Sequence, residues 1–167
     1  MIVLTFRTMR TLDATDIRLL TALSRDARST VVALAQQLGL SRNTVQARLA
    51  QLEARDVFLT FERRISPAAL GYPLMAFIHI HVQQRKLEQI TAELALIPEL
   101  LEAYGVTGNA DILAQVVSRS AEDLFRINSQ VLAIDGVERT DTSLAMHELV
   151  PFRVSPLLRR AEVPPAG

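Results

Sequence analysis

A single residue, Leu40, separates a glycine from a serine, and that punctuation constrains this chain more than any other feature it carries. Ahead of Gly39, the spacing of Val32, Ala35 and Leu38, with Leu34 beside them, predicts one apolar face of a short helix that Ser29 would cap. Gly39 stands where a helix ending in the left-handed conformation favours a residue without a Cβ. Ser41 then offers a hydroxyl to cap a third helix running to about Arg55, with Val45, Leu49 and Leu52 on its buried stripe. Upstream, Asp13 and Asp16 precede Ile17, Leu20 and Leu23, which predicts a first helix starting near Asp13 with carboxylates at its positive end. Two helices joined so tightly and preceded by a supporting helix form the helix-turn-helix, whose last helix enters the major groove of DNA.

The residue types on that last helix agree. Its positions away from the core are Arg42, Asn43, Thr44, Gln46, Ala47, Arg48 and Gln51, and residues 42–52 contain no acid. Arginine pairs with guanine and Asn or Gln with adenine through two hydrogen bonds, whereas a solvated helix face ordinarily mixes Glu with Lys. Ser41, Arg42, Asn43, Thr44, Gln46 and Arg48 are the candidate DNA contacts. Beyond them, residues 57–59 and 61–65 read as two short strands of a wing, in which Arg63 and Arg64 would meet the sugar-phosphate backbone. The chain is neutral overall, but residues 1–65 hold ten Arg against six acids and the remainder eight Lys or Arg against twelve. A basic first third on an acidic remainder suits one domain that meets phosphates and one that does not.

After a connector over residues 66–73, the apolar period changes from helical to alternating at Leu74. Strands are predicted over residues 74–82, 100–107, 112–118 and 137–150. Leu87, Ile90, Leu94 and Ile97 mark a helix ended by Pro98, and Ser120 with Asp123 opens another bearing Leu124, Ile127 and Val131. The order βαββαβ is that of a ferredoxin-like α+β domain, a four-stranded antiparallel sheet with both helices on one face. On the first strand Ala76, Ile78, Ile80 and Val82 share the side expected under the helices. Phe77, His79 and His81 share the other, which is left to meet a second subunit. The division expected is thus a winged helix-turn-helix over residues 1–65, a linker over 66–73, an α/β oligomerisation domain over 74–150, to which the family resemblance given below adds effector binding, and a tail over 151–167.

Several chemistries are disfavoured. The chain has no cysteine, hence no disulfide, thiolate zinc site or cysteine nucleophile. Its longest apolar runs fall far short of the roughly 20 residues that span a bilayer, so a cytoplasmic protein without membrane contact is expected. There is no glycine-rich phosphate loop, and Lys86 is the only lysine. No cofactor or metal is expected.

Taken together, Leu12-Asp13 with Asp16, Leu34-Ala35, Gly39-Leu40-Ser41, Val45 with Arg48, and Leu52-Glu53 resemble the Lrp/AsnC, or feast/famine, regulators. Val106-Thr107-Gly108 with Asp111, Gly136-Val137, and Arg139-Thr140 with Thr142 extend the resemblance over residues 11–150. It implies a regulator of transcription, dimers that assemble further, often to octamers, and response to an amino acid held between dimers near the loop of Gly108 to Asp111. On that basis Tyr104, Gly108, Asn109, Asp111, Thr140 and Thr142 are the effector candidates, since a zwitterion needs a carboxylate for its ammonium group and donors for its carboxylate. Two departures stand out: Asp56 replaces the glycine that usually precedes the wing, and the tail, with four prolines and Arg159-Arg160, matches no family element. A ligand-independent architectural protein would share every N-terminal feature. An enzyme, such as the haem-pathway decarboxylases of related fold, would draw on His79, His81 and His147, the last expected on another strand of the same sheet.

Overall fold

The structure is a computed structural model and describes residues 12–162. In chain order its helices are α1 (Ala14–Arg25), α2 (Val31–Leu38), α3 (Arg42–Ala54), α4 (Leu87–Leu94), α5 (Ala121–Leu132) and α6 (Ser155–Glu162), and its strands are β1 (Leu74–Val82), β2 (Leu100–Gly105), β3 (Ile112–Ser118) and β4 (Val137–Ala145). They form two compact units, residues 1–60 with 151–167, and residues 61–150.

The first unit is built on α1, α2 and α3. Asp13 caps α1 in a reciprocal box with Asp16: the Asp16 N–H donates to Asp13 Oδ1 at 2.9 Å and the Asp13 N–H to Asp16 Oδ2 at 3.3 Å. Gly39 ends α2 with φ 68° and ψ 36°, and Ser41 caps α3 by accepting from the Thr44 N–H at 3.1 Å. Leu19, Ala22, Leu34, Ala35, Val45 and Leu52 form the core between the three helices. Two local expectations are corrected. Thr30, not Ser29, caps α2, because the Ser29 hydroxyl donates to Asp26 instead. Val32 is exposed, since Leu34 and Ala35 carry the inward face of so short a helix.

No wing strand forms. Residues 57–60 carry no regular element, Phe61–Arg64 is a turn of 3-10 helix, and both Arg63 and Arg64 lie in the second unit. The physical reason is the connection: only Thr60 lies between the two expected strands, too little for a hairpin turn, and an isolated hairpin has little stability of its own. Asp56 takes φ 55°, so a non-glycine residue does turn the chain out of α3 in the left-handed region.

The tail also forms a regular element. Its α6 packs against α1 as a fourth helix of the first unit. Ile17 is 6% exposed although it lies about 140 to 160° around α1 from the core residues Leu19 and Ala22.

The second unit is a four-stranded antiparallel sheet in the order β2-β3-β1-β4. Ala76, Ile78, Ile80 and Val82 pack beneath Ile90 and Leu94 of α4 and Ile127 and Val131 of α5. The Ser120 hydroxyl accepts from the Asp123 N–H at 3.1 Å to start α5, and Gly136 leads into β4 with φ 99°. The last strand is shorter than its sequence suggests: β4 ends at Ala145, opposite Met75, one residue from the start of β1 at Leu74, so residues 147–150 have no strand to pair with on β1. His147 therefore lies beyond the sheet. No helix among the described residues is long and apolar enough to cross a membrane.

Candidate functional site

On α3 the buried residues Val45 and Leu52 define the inner line, which leaves Asn43, Ala47, Ala50 and Ala54 outermost and exposed, with Gln51 exposed on the flank of Arg48. Arg42 and Gln46 are exposed on the other flank. Small side chains among amide groups let a helix approach base edges closely, and a methyl group suits thymine. Of the predicted contacts, Arg42, Asn43 and Gln46 thus lie together on an open surface. Ser41 and Thr44 share the helix start, with their hydroxyl oxygens 2.8 Å apart.

Arg48 is elsewhere. Its guanidinium donates to Asp13 and, at 2.9 Å, to Oδ1 of Asp16, so it faces the N-terminus of α1. Asp16 is almost fully buried, and Arg55, two turns further along α3, lies 3.7 Å from its other oxygen. The two arginines flank the apolar stripe on the side towards α1. Arg63 binds Glu102 of β2, and Arg64 stacks on the Phe61 ring at 5.6 Å. Both belong to the second unit.

The effector candidates fall into three places. Gly108, Asn109 and Asp111 share the turn between β2 and β3, where Gly108 has φ 114°. Asp111 is engaged within the fold: its Oδ2 accepts from the Val82 N–H at 2.9 Å and its Oδ1 from the Gln84 amide at 2.6 Å. Tyr104 is opposite Leu113, which is opposite His79, and so belongs to the helix-free face of edge strand β2. Thr140 and Thr142 pair with Ile80 and Ile78 on the helix side of the other edge strand, where the Thr142 hydroxyl donates to Asn128 of α5 at 2.9 Å. One subunit does not bring these groups together. On the open face His81 Nε2 is 2.9 Å from the Arg139 guanidinium and 3.4 Å from Asp141.

The charge division is sharper than a cut at residue 65 gives. Residues 1–60 with 151–167 hold eleven Arg and six acids, a net +5, against seven Lys or Arg and twelve acids, a net −5, in residues 61–150. Arg153, Arg159 and Arg160 of the tail make the difference.

Residues 12–53 match the AsnC-type helix-turn-helix domain and residues 75–154 the Lrp/AsnC ligand binding domain. The HTH-type transcriptional regulator FL11 of Pyrococcus furiosus is 30% identical over 135 residues, 81% of this chain and 89% of that protein. The chain belongs to the Lrp/AsnC family of transcriptional regulators. Among solved structures, AsnC of E. coli is similar with a TM-score of 0.80 at 27% identity, covering 88% of this chain and 100% of that one. The feast or famine regulatory protein of M. tuberculosis complexed with L-methionine is similar with a TM-score of 0.76 at 30% identity, covering 86% and 98%.

For this Lrp/AsnC regulator the sequence-based reading missed the acidic partner of Arg48. The available signal was the pair Asp13 and Asp16, whose two charges exceed what one cap requires. The hydrogen bond from Arg48, helped by the Asp16 N–H, holds the Asp13 carboxyl below its usual range. In the second unit, the Arg119 N–H and then Arg126 do the same for Asp123. A carboxyl whose folded value is depressed contributes stability above its unfolded value and loses that contribution as pH falls through the folded one. The unfolding midpoint of this regulator should therefore fall with pH below about 4. Asp13→Asn should flatten part of that dependence in an acid series of thermal melts; an unchanged profile would remove the Asp13 ion pair as its source.

Proposed function

We propose that this Lrp/AsnC regulator binds double-stranded DNA as a homodimer through α3, with Arg42, Asn43 and Gln46 at bases or phosphates. The observation that carries the reading is the exposed, acid-free outer face of α3 in a unit of net positive charge. Dimer formation is supported by the helix-free sheet face, where Phe77, His79, Leu113 and Tyr104 lie across neighbouring strands, a surface suited to packing against a second sheet. Assembly of dimers to an octamer follows the family expectation. The effector is proposed to be an amino acid held between subunits at the turn of Gly108 and Asn109. Two observations support this: candidates at opposite edges and faces of the sheet meet only if more than one chain contributes, and a related regulator has been captured with L-methionine. The protein is read as a regulator without catalytic chemistry, in the cytoplasm.

The test is a fluorescence-anisotropy titration against DNA from upstream of its own gene and a shuffled control, at two salt concentrations, with and without L-methionine or an amino-acid pool. Selective binding weakened by salt and shifted by an amino acid is expected. Selective binding without a shift would favour the architectural reading, and no salt-dependent binding to either DNA would overturn the DNA-reading assignment. Arg42→Ala is expected to weaken upstream binding about 5- to 100-fold, the range of one base contact, with the melting temperature unchanged.

A further inference from the structure

The narrow apolar stripe of α3 leaves its orientation underdetermined. Only Val45 and Leu52 on it are buried, and Leu49 is half-buried. Apolar contact is non-directional, so this small if close-packed patch fixes the depth of α3 more sharply than the fine rotation and axial position that keep Asn43 and Ala47 in register with a groove. Among the described residues, the ion pairs from α3 to α1 lie on one flank. Arg48 and Arg55 stand seven residues apart and both face Asp16, whose side chain is 6% exposed; Arg48 also binds Asp13. These two carboxylates are in turn fixed by each other's backbone N–H groups in the α1 cap, so the anchor is part of the start of α1. An ion pair with defined hydrogen bonds specifies one geometry where an apolar patch allows several.

We propose that Asp13 and Asp16 set the rotation and axial position of α3 through Arg48 and Arg55, which makes Arg48 a positioning residue for DNA reading and not a DNA contact. The inference rests on α3 being the DNA-reading helix. It accounts for an arginine within an otherwise acid-free stretch that points away from the reading face.

Arg48→Met keeps an unbranched apolar stem and removes the guanidinium, and Asp13→Asn keeps an equally good cap and removes the charge. The full-length wild type, both single variants and the double variant are titrated against upstream and shuffled DNA over a series of salt concentrations. Arg48→Met should lower the ratio of upstream to shuffled affinity about 5- to 100-fold, the loss of one base readout, while the slope of log affinity against log salt stays as in the wild type. Asp13→Asn should lower the ratio in the same sense, and the double variant no further than Arg48→Met alone. A slope shallower by about 0.9 for Arg48→Met, with Asp13→Asn neutral, would make Arg48 a phosphate contact and overturn the proposal. Equal losses on both DNAs, or no loss in either single variant, would overturn it too. A wild type that binds neither DNA would instead remove the DNA reading on which the proposal rests.

Discussion

Leu52→Ala should unfold the first unit while leaving the sheet unit folded. Leu52 is fully buried on the inner line of α3, in a core of six buried residues. Truncating a buried leucine costs about 2 to 5 kcal/mol, because the lost transfer free energy adds to an incompletely collapsed cavity. A unit of about 77 residues, 1–60 with 151–167, has a total stability of roughly 4 to 12 kcal/mol at ordinary values per residue, so the loss is a large fraction of the whole. Few neighbours are free to close the gap, since Leu19, Leu34 and Val45 are themselves at 0 to 1% exposure and anchored on three different helices. Urea unfolding followed by helical circular dichroism should show an early transition shifted to much lower denaturant and a later one in place. Selective DNA binding should be lost with the first. A variant whose early transition is unmoved would mean that Leu52 is not central to that core.

Removing residues 151–167 is expected to have the second largest effect. Without α6, α1 loses the helix that packs against it, and fully exposing one apolar side chain of the size of Ile17 costs about 1.5 to 3 kcal/mol. The same early transition should shift, and the truncated protein should bind upstream DNA more weakly at the temperature where its first unit begins to melt. Ile17→Lys in the full-length chain is the companion variant. It leaves the tail in place and should reproduce most of the shift by opposing the docking of α6. Identical melting of the truncated and intact proteins would show that the first unit stands on three helices alone.

What could be read from residues alone was whatever a local pattern specifies. The αL stop at Gly39, the caps at Asp13, Ser41 and Ser120, and the alternation from Ala76 to Val82 each depend on residues within a turn or a strand of one another. The sheet with both helices on one side followed because the βαββαβ succession leaves few ways to cover one face. Features decided between distant residues were harder to see. Arg48 looked available on a helical wheel, and its partners stand 35 and 32 positions away. The tail looked featureless because its apolar residues repeat over barely two turns, while its partner α1 lies more than a hundred residues away in sequence. The expected wing failed for a local reason that was legible, one residue being too short a hairpin. The effector candidates were chosen for chemistry, and strand parity then placed Tyr104 and Thr142 on opposite faces.

The docking of α6 on α1 has a topological consequence. The sheet unit is an insert within the chain of the DNA-reading unit, which the polypeptide leaves near Thr60 and rejoins near Pro151. Two backbone crossings therefore join the units where a simple tandem protein has one. A protease that nicks either crossing should not release a free head under native conditions. A cut at the first leaves the three-helix head held only by its grip on α6. A cut at the second leaves a short peptide clasped to α1, and the fragments should separate only when denatured.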